Sequence, residues 1–553
     1  MPRPLDVALR LLQNLYGLVR DAFLAPAASR MSRDWIVVRL DHGVVETPPA
    51  RNWLQGFRPA PRALTSVLEC LERAGDDARV RGVLLRLGSA PLGWAKVQSL
   101  ARAMGELRDS GKRVVVYADS TGNAGGWLGG LADRFWMAPE GRLDLLGVKS
   151  VGPYLRGALD RFGIRPRVIS AGRFKSAGEV LSRQGMSESA REALEPVVDE
   201  LYGALVGGLT ASRCADEQAA RKCIDEGPYL AVEAREAGLV DELVYADEIP
   251  RKLADLAGAE PEPEATDADF EKRLVADTSY LTLARPRFQW SPVLDGRREI
   301  AVVPLEGLIR SGSARALVPL LRRIERDDSV RALVVRINSP GGEPLASDQL
   351  RRALARVAKQ KPVVASLADV AASGGYYVAM AANEVVAEPA TLTGSIGVVL
   401  ATVEVDELLE GLGVHVDGVE RGRHARIYDP TRERTQEERA LLKRHVEGMY
   451  KSFVAKAAEA RGRSEAEIES VAAGRVWTGT QARERGLVDS LGGLDAAIER
   501  ARALAGLDSG DGDVVHMNAD RPALERLFGR PVLEDASPVR GAQLLCPVRL
   551  TLD

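Results

Sequence analysis

A long internal repeat constrains the fold of this chain more than any other feature. The run Ala368–Asn383, which contains Ser373, aligns with Ala118–Asp133 when the numbering is shifted by 250 residues. In this alignment Ser373 of the second copy falls on Asn123 of the first. The two copies have therefore diverged at a position where a hydroxyl group could react.

Two further pairs of segments support the repeat. Val80–Ser89 matches Val330–Ser339 at the same offset, and Ala234–Leu243 is identical to Ala482–Leu491 at eight of ten positions. Repeats of about 20 to 50 residues indicate solenoids, whereas a period of this length indicates two whole domains.

Apolar strands and amphipathic helices alternate within each copy. This alternation predicts an α/β fold with mostly parallel sheets and crossover helices. The predicted strands are residues 80–87, 113–118, 331–337 and 363–367, and the predicted helices between them are residues 97–108 and 347–358.

The composition is that of a globular protein with material for two cores. The chain has 553 residues, of which 45% are apolar and 28% charged. A formal net charge of -3 gives no electrostatic reason to expect nucleic acid as a partner. Four scattered cysteines and only five histidines disfavour a zinc site, and we expect no metal or cofactor. A disulfide between Cys214 and Cys223 stays open beside the alternative of free thiols.

The segment Leu5–Leu24 is apolar but interrupted by charges, and its uncharged part is shorter than the roughly 20 residues that cross a bilayer. Its apolar residues recur at helical spacing, which predicts an amphipathic helix. That helix would lie on a membrane surface or pack on the protein itself, and the sequence does not choose between them. We therefore expect either a peripheral membrane protein or a soluble one, without a clear transmembrane span.

Composition shifts divide the chain into five predicted segments. The acidic run Gly258–Asp269 contains two prolines and has no apolar periodicity, which is typical of a linker. The predicted segments are an N-terminal amphipathic helix at 1–33, a first domain at 34–257, a linker at 258–290, a second domain at 291–505, and a C-terminal appendage of unassigned role at 506–553.

Four glycine-rich motifs occur in order in the second copy. They are Asn338–Gly342, Ala371–Gly375, Thr391–Gly397 and Gly474–Gly479. Together with the repeat, this ordered set resembles the S49 peptidases in their long, tandem-domain form, the signal peptide peptidases. The resemblance covers roughly residues 35–505 and implies tandem domains of the ClpP/crotonase type.

The resemblance implies that Ser373 is the nucleophile and Lys175 the general base, so that the two copies would supply one catalytic pair. The counterpart of Lys175 in the second copy is Ala425. A serine hydroxyl needs a base to take its proton, and lysine replaces histidine in some peptidases. Such a lysine must be neutral, with a pKa lowered from about 10.4 to about 7 to 8. We expect desolvation between the two domains to lower it.

The resemblance also implies roles for neighbouring residues. The backbone N–H of Gly374 would bind the oxyanion, and Gly341 or Gly342 would supply a second donor, although these glycines also fit a tight turn. Ser395 would hydrogen-bond the catalytic lysine and orient it, although a turn serine can instead bond its own backbone.

The same resemblance implies extended, apolar peptide substrates such as cleaved signal peptides, no cofactor, and a homo-oligomer, in the family a tetramer. Long-form relatives usually carry a membrane-spanning N-terminal helix, and here only an amphipathic stretch is found. Two alternatives stay open: a crotonase-like acyl-CoA enzyme, whose fold also builds oxyanion holes from glycine amides, and a non-catalytic scaffold. The intact Ser373-Gly374-Gly375 disfavours the scaffold.

Overall fold

The computed structural model describes residues 34–47, 61–258, 267–283, 298–518 and 542–545. The helix predicted at residues 5–24 lies outside this part of the chain. The described residues form two compact units. The first unit contains residues up to Val148 and Tyr202–Arg297, and the second contains Lys149–Leu201 and Arg298–Leu550.

The first unit is built on a six-stranded sheet in which every neighbouring pair is parallel. A three-stranded and a two-stranded sheet accompany it. In spatial order, the strands of the main sheet are Glu242–Leu243, Arg134–Met137, Arg113–Ala118, Gly82–Leu87, Trp35–Arg39 and Leu274–Ala276. The smaller sheets comprise Tyr229–Leu230, Arg142–Asp144 and Thr121–Gly122, and Val44–Val45 with Arg62–Ala63.

Helices connect these strands. The helices of the first unit are Leu64–Asp76, Trp94–Asp109, Asn123–Leu131, Glu217–Asp225, Ala231–Glu236, Ile249–Leu256, Asp267–Glu271 and Asp277–Leu283. The helix Glu188–Thr210 contains the point at which the chain divides between the two units.

The second unit repeats the strand order of the first. Its corresponding strands are Ser490–Leu491, Glu384–Ala387, Val363–Ala372, Val330–Ser339, Glu299–Glu306 and Asp513–His516. Two short strands, Leu392–Gly394 and Val476–Trp477, extend the sheet from the end of Val363–Ala372. A second, antiparallel sheet comprises Gly341–Gly342, Ala542–Leu545, Val398–Glu404 and Arg165–Ala171.

The helices of the second unit cover both faces of its main sheet, so its central strands are buried and nearly continuous in apolar residues. Ile300, Val302 and Val334 pack toward the helix Leu494–Leu504. The residues next to them in sequence pack into the core on the opposite face of the sheet, because successive side chains of a strand point to opposite faces. The remaining helices are Arg156–Arg161, Glu179–Ser182, Ser311–Arg326, Pro344–Ala358, Gly374–Ala379, Asp406–Gly411, Gln436–Arg461, Glu465–Val471 and Gly479–Glu484, with a 3-10 turn at Ser176–Gly178.

The predicted α/β class, with mostly parallel sheets and crossover helices in two tandem domains, is confirmed. The predicted strands at 80–87, 113–118, 331–337 and 363–367 occur as Gly82–Leu87, Arg113–Ala118, Val330–Ser339 and Val363–Ala372.

The compact units differ from the predicted domain boundaries in three places. Residues 149–201, predicted in the first domain, belong to the second unit because Arg165–Ala171 pairs with Val398–Glu404 along seven residues. Leu274–Ala276, predicted in the linker, is an edge strand of the first main sheet. Asp513–His516, predicted in the appendage, is its counterpart in the second. Composition marks where polar residues cluster, and it does not record which sheet edge a short strand joins.

Two further observations concern the possible disulfide and the possible membrane span. The Cys214 and Cys223 thiols are free, with their sulfur atoms 3.8 Å apart. Within the described ranges, no helix is both long and apolar enough to cross a bilayer.

Candidate active site

Ser373 lies in a strained turn between a strand and a helix of the second unit. It follows the strand Val363–Ala372 and precedes the helix Gly374–Ala379, with φ 54° and ψ −114°. A positive φ is costly for a residue with a side chain, and such strain concentrates at functional sites. The surrounding backbone maintains this conformation, since the Ser373 N–H donates to the Gly394 carbonyl at 2.8 Å.

Lys175 reaches Ser373 although 198 positions separate them in sequence. The Lys175 Nζ lies 2.8 Å from the Ser373 Oγ, 2.8 Å from the Ser395 carbonyl oxygen and 3.0 Å from the Ser395 Oγ. The lysine is only 4% exposed and both serines are fully buried. All three residues belong to the second compact unit, so the desolvation of Lys175 occurs within that unit and needs no surface between two domains.

Three glycines allow neighbouring segments to pack closely around Lys175. A Cβ atom added at Gly397 would lie 3.0 Å from the Lys175 Cδ, and one at Gly474 would lie 2.5 Å from the Lys175 backbone nitrogen. One at Gly172 would lie 2.6 Å from the Ala473 carbonyl oxygen. Because no side chain fits at these positions, the three segments approach closely enough to enclose the lysine.

Arg475 was not among the predicted site residues, although it lies within one of the four glycine-rich motifs. Its carbonyl oxygen accepts the Ser395 N–H at 2.7 Å. Its guanidinium group stacks on the ring of Phe174, 4.9 Å from the centroid, and on that of Trp477, 4.8 Å from the centroid. Arg475 thus connects the segments that carry Lys175 and Ser395. The Gly474–Gly479 motif, which contains Arg475, was the sequence signal that could have identified this residue.

The candidate oxyanion donors lie together. A Cβ atom at Gly374 would be 3.0 Å from the Gly342 nitrogen and 3.1 Å from the Gly341 Cα, so these backbones are in direct contact. The Gly341 N–H donates to the Ser339 Oγ at 3.1 Å. Gly342 is therefore the better candidate for a second donor. The first N–H groups of the helix that begins at Gly374 have no intrahelical acceptor.

A polar cluster supports the helix that follows the nucleophile. The Tyr377 N–H donates to the Ser373 carbonyl, and the Tyr377 hydroxyl donates to the Asp348 carboxylate at 2.8 Å. Lys456 donates to the same carboxylate oxygen at 2.8 Å. Burial alone would raise the pKa of Asp348, but the hydrogen bonds from Lys456 and Tyr377 hold it below its usual value. The cluster fixes the first turn of the helix and thereby the turn at Ser373.

Ser373, Lys175 and Ser395 are thus brought together, and Gly374, Gly341 and Gly342 lie beside one another. No group of three or more His, Cys, Asp or Glu side chains that could hold a metal ion occurs in the described part of the chain. The arrangement can transfer a proton between a buried amine and a hydroxyl and can present backbone N–H groups to a developing oxyanion.

Comparisons with known proteins agree with the motifs. Residues 106–260 and 355–508 match the profile of peptidase family S49. The chain is 34% identical to the chloroplastic serine protease SPPA of Arabidopsis thaliana, across 80% of this chain and 66% of that protein. It is 32% identical to Protease 4 of Salmonella typhi, across 80% of this chain and 72% of that protein.

Among solved structures, the chain is similar to a ClpP1 mutant from Listeria monocytogenes, at 17% identity with a TM-score of 0.25. That match covers 36% of this chain and 94% of ClpP1. The chain is also similar to a mutant of the 1510-N membrane-bound stomatin-specific protease, at 15% identity with a TM-score of 0.28, across 41% of this chain and 99% of that protein.

Proposed function

Because the chain belongs to peptidase family S49, we propose that it is a serine endopeptidase in which Ser373 is the nucleophile and Lys175 the general base. The observation that carries the proposal is the 2.8 Å separation of the Lys175 Nζ and Ser373 Oγ, both in buried side chains. Burial disfavours the ammonium ion relative to the neutral amine, which is the form that accepts a proton.

The surroundings of the amine explain how it would be oriented. A neutral amine has two N–H groups and one lone pair. The Ser395 carbonyl oxygen and the Ser395 Oγ can accept the two N–H groups, which leaves the lone pair directed at the Ser373 hydroxyl. Ser395 would therefore act as a positioning residue.

The reaction follows from these positions. Lys175 takes the proton of Ser373 as its oxygen attacks the peptide carbonyl carbon, and the Gly374 and Gly342 N–H groups bind the oxyanion. The protonated lysine then gives its proton to the leaving amine, and an acyl-enzyme remains on Ser373. A water molecule, deprotonated by the same lysine, hydrolyses the ester and releases Ser373.

The substrates we propose are extended, apolar peptides, such as the cores of cleaved signal peptides. A glycine-lined backbone edge beside the nucleophile favours binding of a peptide as an added strand. No feature of the described residues points to a bound cofactor, and the proposed chemistry uses protein groups alone.

Two substitutions test the proposal. We expect Ser373→Ala and Lys175→Ala each to lower kcat for a fluorogenic apolar peptide by about 10⁴-fold or more, with unchanged thermal unfolding. Reaction with a fluorophosphonate probe should modify Ser373 in the natural chain and slow sharply in Lys175→Ala. Ser470→Ala, at an exposed serine, is the matched control. Undiminished hydrolysis by either site variant would overturn the assignment, and saturable acyl-CoA binding without hydrolysis would favour the crotonase-like alternative.

We also propose that the chain forms a homo-oligomer by pairing of two exposed segments. Residues 415–421 are the repeat counterpart of the strand Arg165–Ala171 but form no strand, and Val419 is 89% exposed. Residues 148–154, the counterpart of Val398–Glu404, likewise form no strand, and Val151 is 81% exposed. Since their counterparts pair with each other, residues 415–421 of one chain would pair with residues 148–154 of a second copy.

A further inference from the structure

The short strand Ala542–Leu545 occupies the middle of the antiparallel sheet in the second unit. On one side Gly341 aligns with Leu545 and Gly342 with Leu544. On the other side Val399 aligns with Gln543 and Leu400 with Ala542. This segment lies within the last twelve residues of the sequence, and among the described residues it is the strand that joins these two edges of the second unit.

Both neighbouring edges border the candidate active site. Gly341–Gly342 contacts Gly374, the residue after the nucleophile. Val398–Glu404 begins three residues after Ser395 and pairs on its other side with Arg165–Ala171, the strand that leads to Lys175. The C-terminal strand therefore lies between the segment that contacts the nucleophile turn and the segment that holds the base.

The gap between these edges has the width of one extended peptide. Neighbouring strands lie about 4.8 Å apart, so two edges separated by a single strand are roughly 9.6 Å apart. Without Ala542–Leu545, each edge would present backbone N–H and C=O groups toward the other. An extended peptide would satisfy both rows by strand addition.

We propose that Ala542–Leu545 is a tethered competitor that occupies the peptide-binding groove and must leave before a substrate strand can bind. The inference rests on the proposed peptidase function. The segment Ala-Gln-Leu-Leu is uncharged and mostly apolar, as the proposed substrates are.

The length of the connection allows the segment to leave and return. Twenty-five residues, 517–541, separate the strand that ends at His516 from Ala542. A ligand tethered in this way has an effective concentration on the order of 1 mM. It therefore competes with substrate even when its own affinity is weak.

Truncation tests the competition directly. A chain ending at Gly541 should have a KM roughly three- to tenfold lower than that of the full chain, with kcat unchanged. This is the factor expected when a competitor at an effective concentration of about 1 mM binds the groove with a dissociation constant of a few tenths of a millimolar. A chain ending at Leu550, which keeps the strand, is the matched control and should retain the full-length KM. An unchanged KM in the shorter chain would overturn the proposal.

A point variant separates competition from a purely structural role. The N–H groups of successive residues in a strand point to opposite neighbours, so Gln543→Pro with Leu544→Pro removes one donor toward each edge. We expect the double variant to reproduce the lower KM while the thermal midpoint stays within a few degrees of the full chain. A large fall in the midpoint together with lost activity would show that the strand is an obligatory part of the domain, against the proposal.

Binding without catalysis distinguishes this inference from the proposed function. In a Ser373→Ala background, a fluorescent peptide of residues 541–549 should bind the chain that ends at Gly541 roughly three- to tenfold more tightly than it binds the full chain. Equal binding to both chains would overturn the inference alone. Differential binding combined with undiminished hydrolysis by Ser373→Ala would sustain it and overturn the assignment of Ser373 as nucleophile.

Discussion

The two copies of the repeat share the strand order of their main sheets, but they differ in the backbone turn before the helix that follows the central strands. In the second copy the helix begins after Ser373, which has a positive φ. In the first copy the helix begins at Asn123 itself. The Asn123 side chain accepts the Leu146 N–H at 2.9 Å and donates to the Gly147 carbonyl at 2.9 Å. A side chain that hydrogen-bonds within the first copy thus occupies the position of the proposed nucleophile in the second.

The contrast extends to the glycines. Shifting the numbering by 250 residues places Gly374 on Ala124, and Gly341 and Gly342 on Pro91 and Leu92. In the second copy a Cβ atom at Gly374 would press on the Gly342 nitrogen. The first copy has side chains at all three positions, and one is a proline without an N–H group. Apolar core packing is sufficient to maintain the fold in both copies. An oxyanion site would in addition need backbone N–H groups that no side chain covers, and the first copy has side chains at these positions.

The largest predicted effect tests whether a serine alone restores a site. We expect Asn123→Ser introduced into Ser373→Ala to leave peptide hydrolysis at least about 10⁴-fold below the natural level. Lys175 contacts Ser373 in the second unit, its repeat counterpart in the second copy is Ala425, and the first copy lacks the glycines. Steady-state kinetics with a fluorogenic peptide measure this. Recovery of more than a hundredth of the natural rate would show that the copies are chemically equivalent.

A pair of matched substitutions tests the glycine contrast. Gly374→Ala should lower kcat by about 10² to 10³-fold, because its Cβ would separate the Gly374 and Gly342 backbones and misplace an oxyanion donor. Ala124→Gly, at the equivalent position of the first copy, should leave kcat unchanged. If both substitutions have equal effects on kcat, Gly374 has no special role.

Ser395→Ala removes one of the two groups that orient Lys175. We expect kcat to fall by up to about 10²-fold with KM nearly unchanged, since the Ser395 carbonyl contact remains while the amine loses its second partner. Ser395→Thr, which restores a hydroxyl, should recover part of the loss. A drop in thermal stability with unchanged kcat would instead indicate a turn serine with a structural role.

Asn123→Ala should reduce stability and spare the chemistry. The substitution leaves the Leu146 N–H and the Gly147 carbonyl without their side-chain partner, at a cost of about 1 to 3 kcal/mol in the free energy of unfolding. Denaturant titration measures the loss, and kcat of the folded protein should be unchanged. A fall in kcat without loss of stability would mean that the first copy takes part in the reaction.

The smallest effect concerns association. Val416→Asp with Val419→Asp places two charges in the exposed segment that we propose pairs with a second copy, and should shift the protein toward monomer in analytical ultracentrifugation. Val232→Asp, at another exposed valine, is the control. An unchanged mass distribution, or a natural chain that is monomeric at every concentration, would exclude this surface.

Local patterns were sufficient to predict the central strands of both main sheets, but not their edge strands. The central strands Gly82–Leu87 and Val330–Ser339 are short apolar runs, and the helices between strands have the spacing of an amphipathic face. The pairing of Ser373 with Lys175 was predicted only through family resemblance, since 198 positions separate the residues and nothing in either segment identifies the other.

The sequence by itself determined that two similar α/β modules exist, that Asn123 in one aligns with Ser373 in the other, and which glycine motifs could surround a reaction. Only the tertiary structure decided that the lysine segment joins the second unit, that Arg475 connects Phe174 to Trp477, and that Ala542–Leu545 closes a sheet beside the nucleophile. The physical reason is that periodicity records which face of an element is buried. Strand-edge pairing and close approach of glycine backbones depend on contacts between segments far apart in the chain.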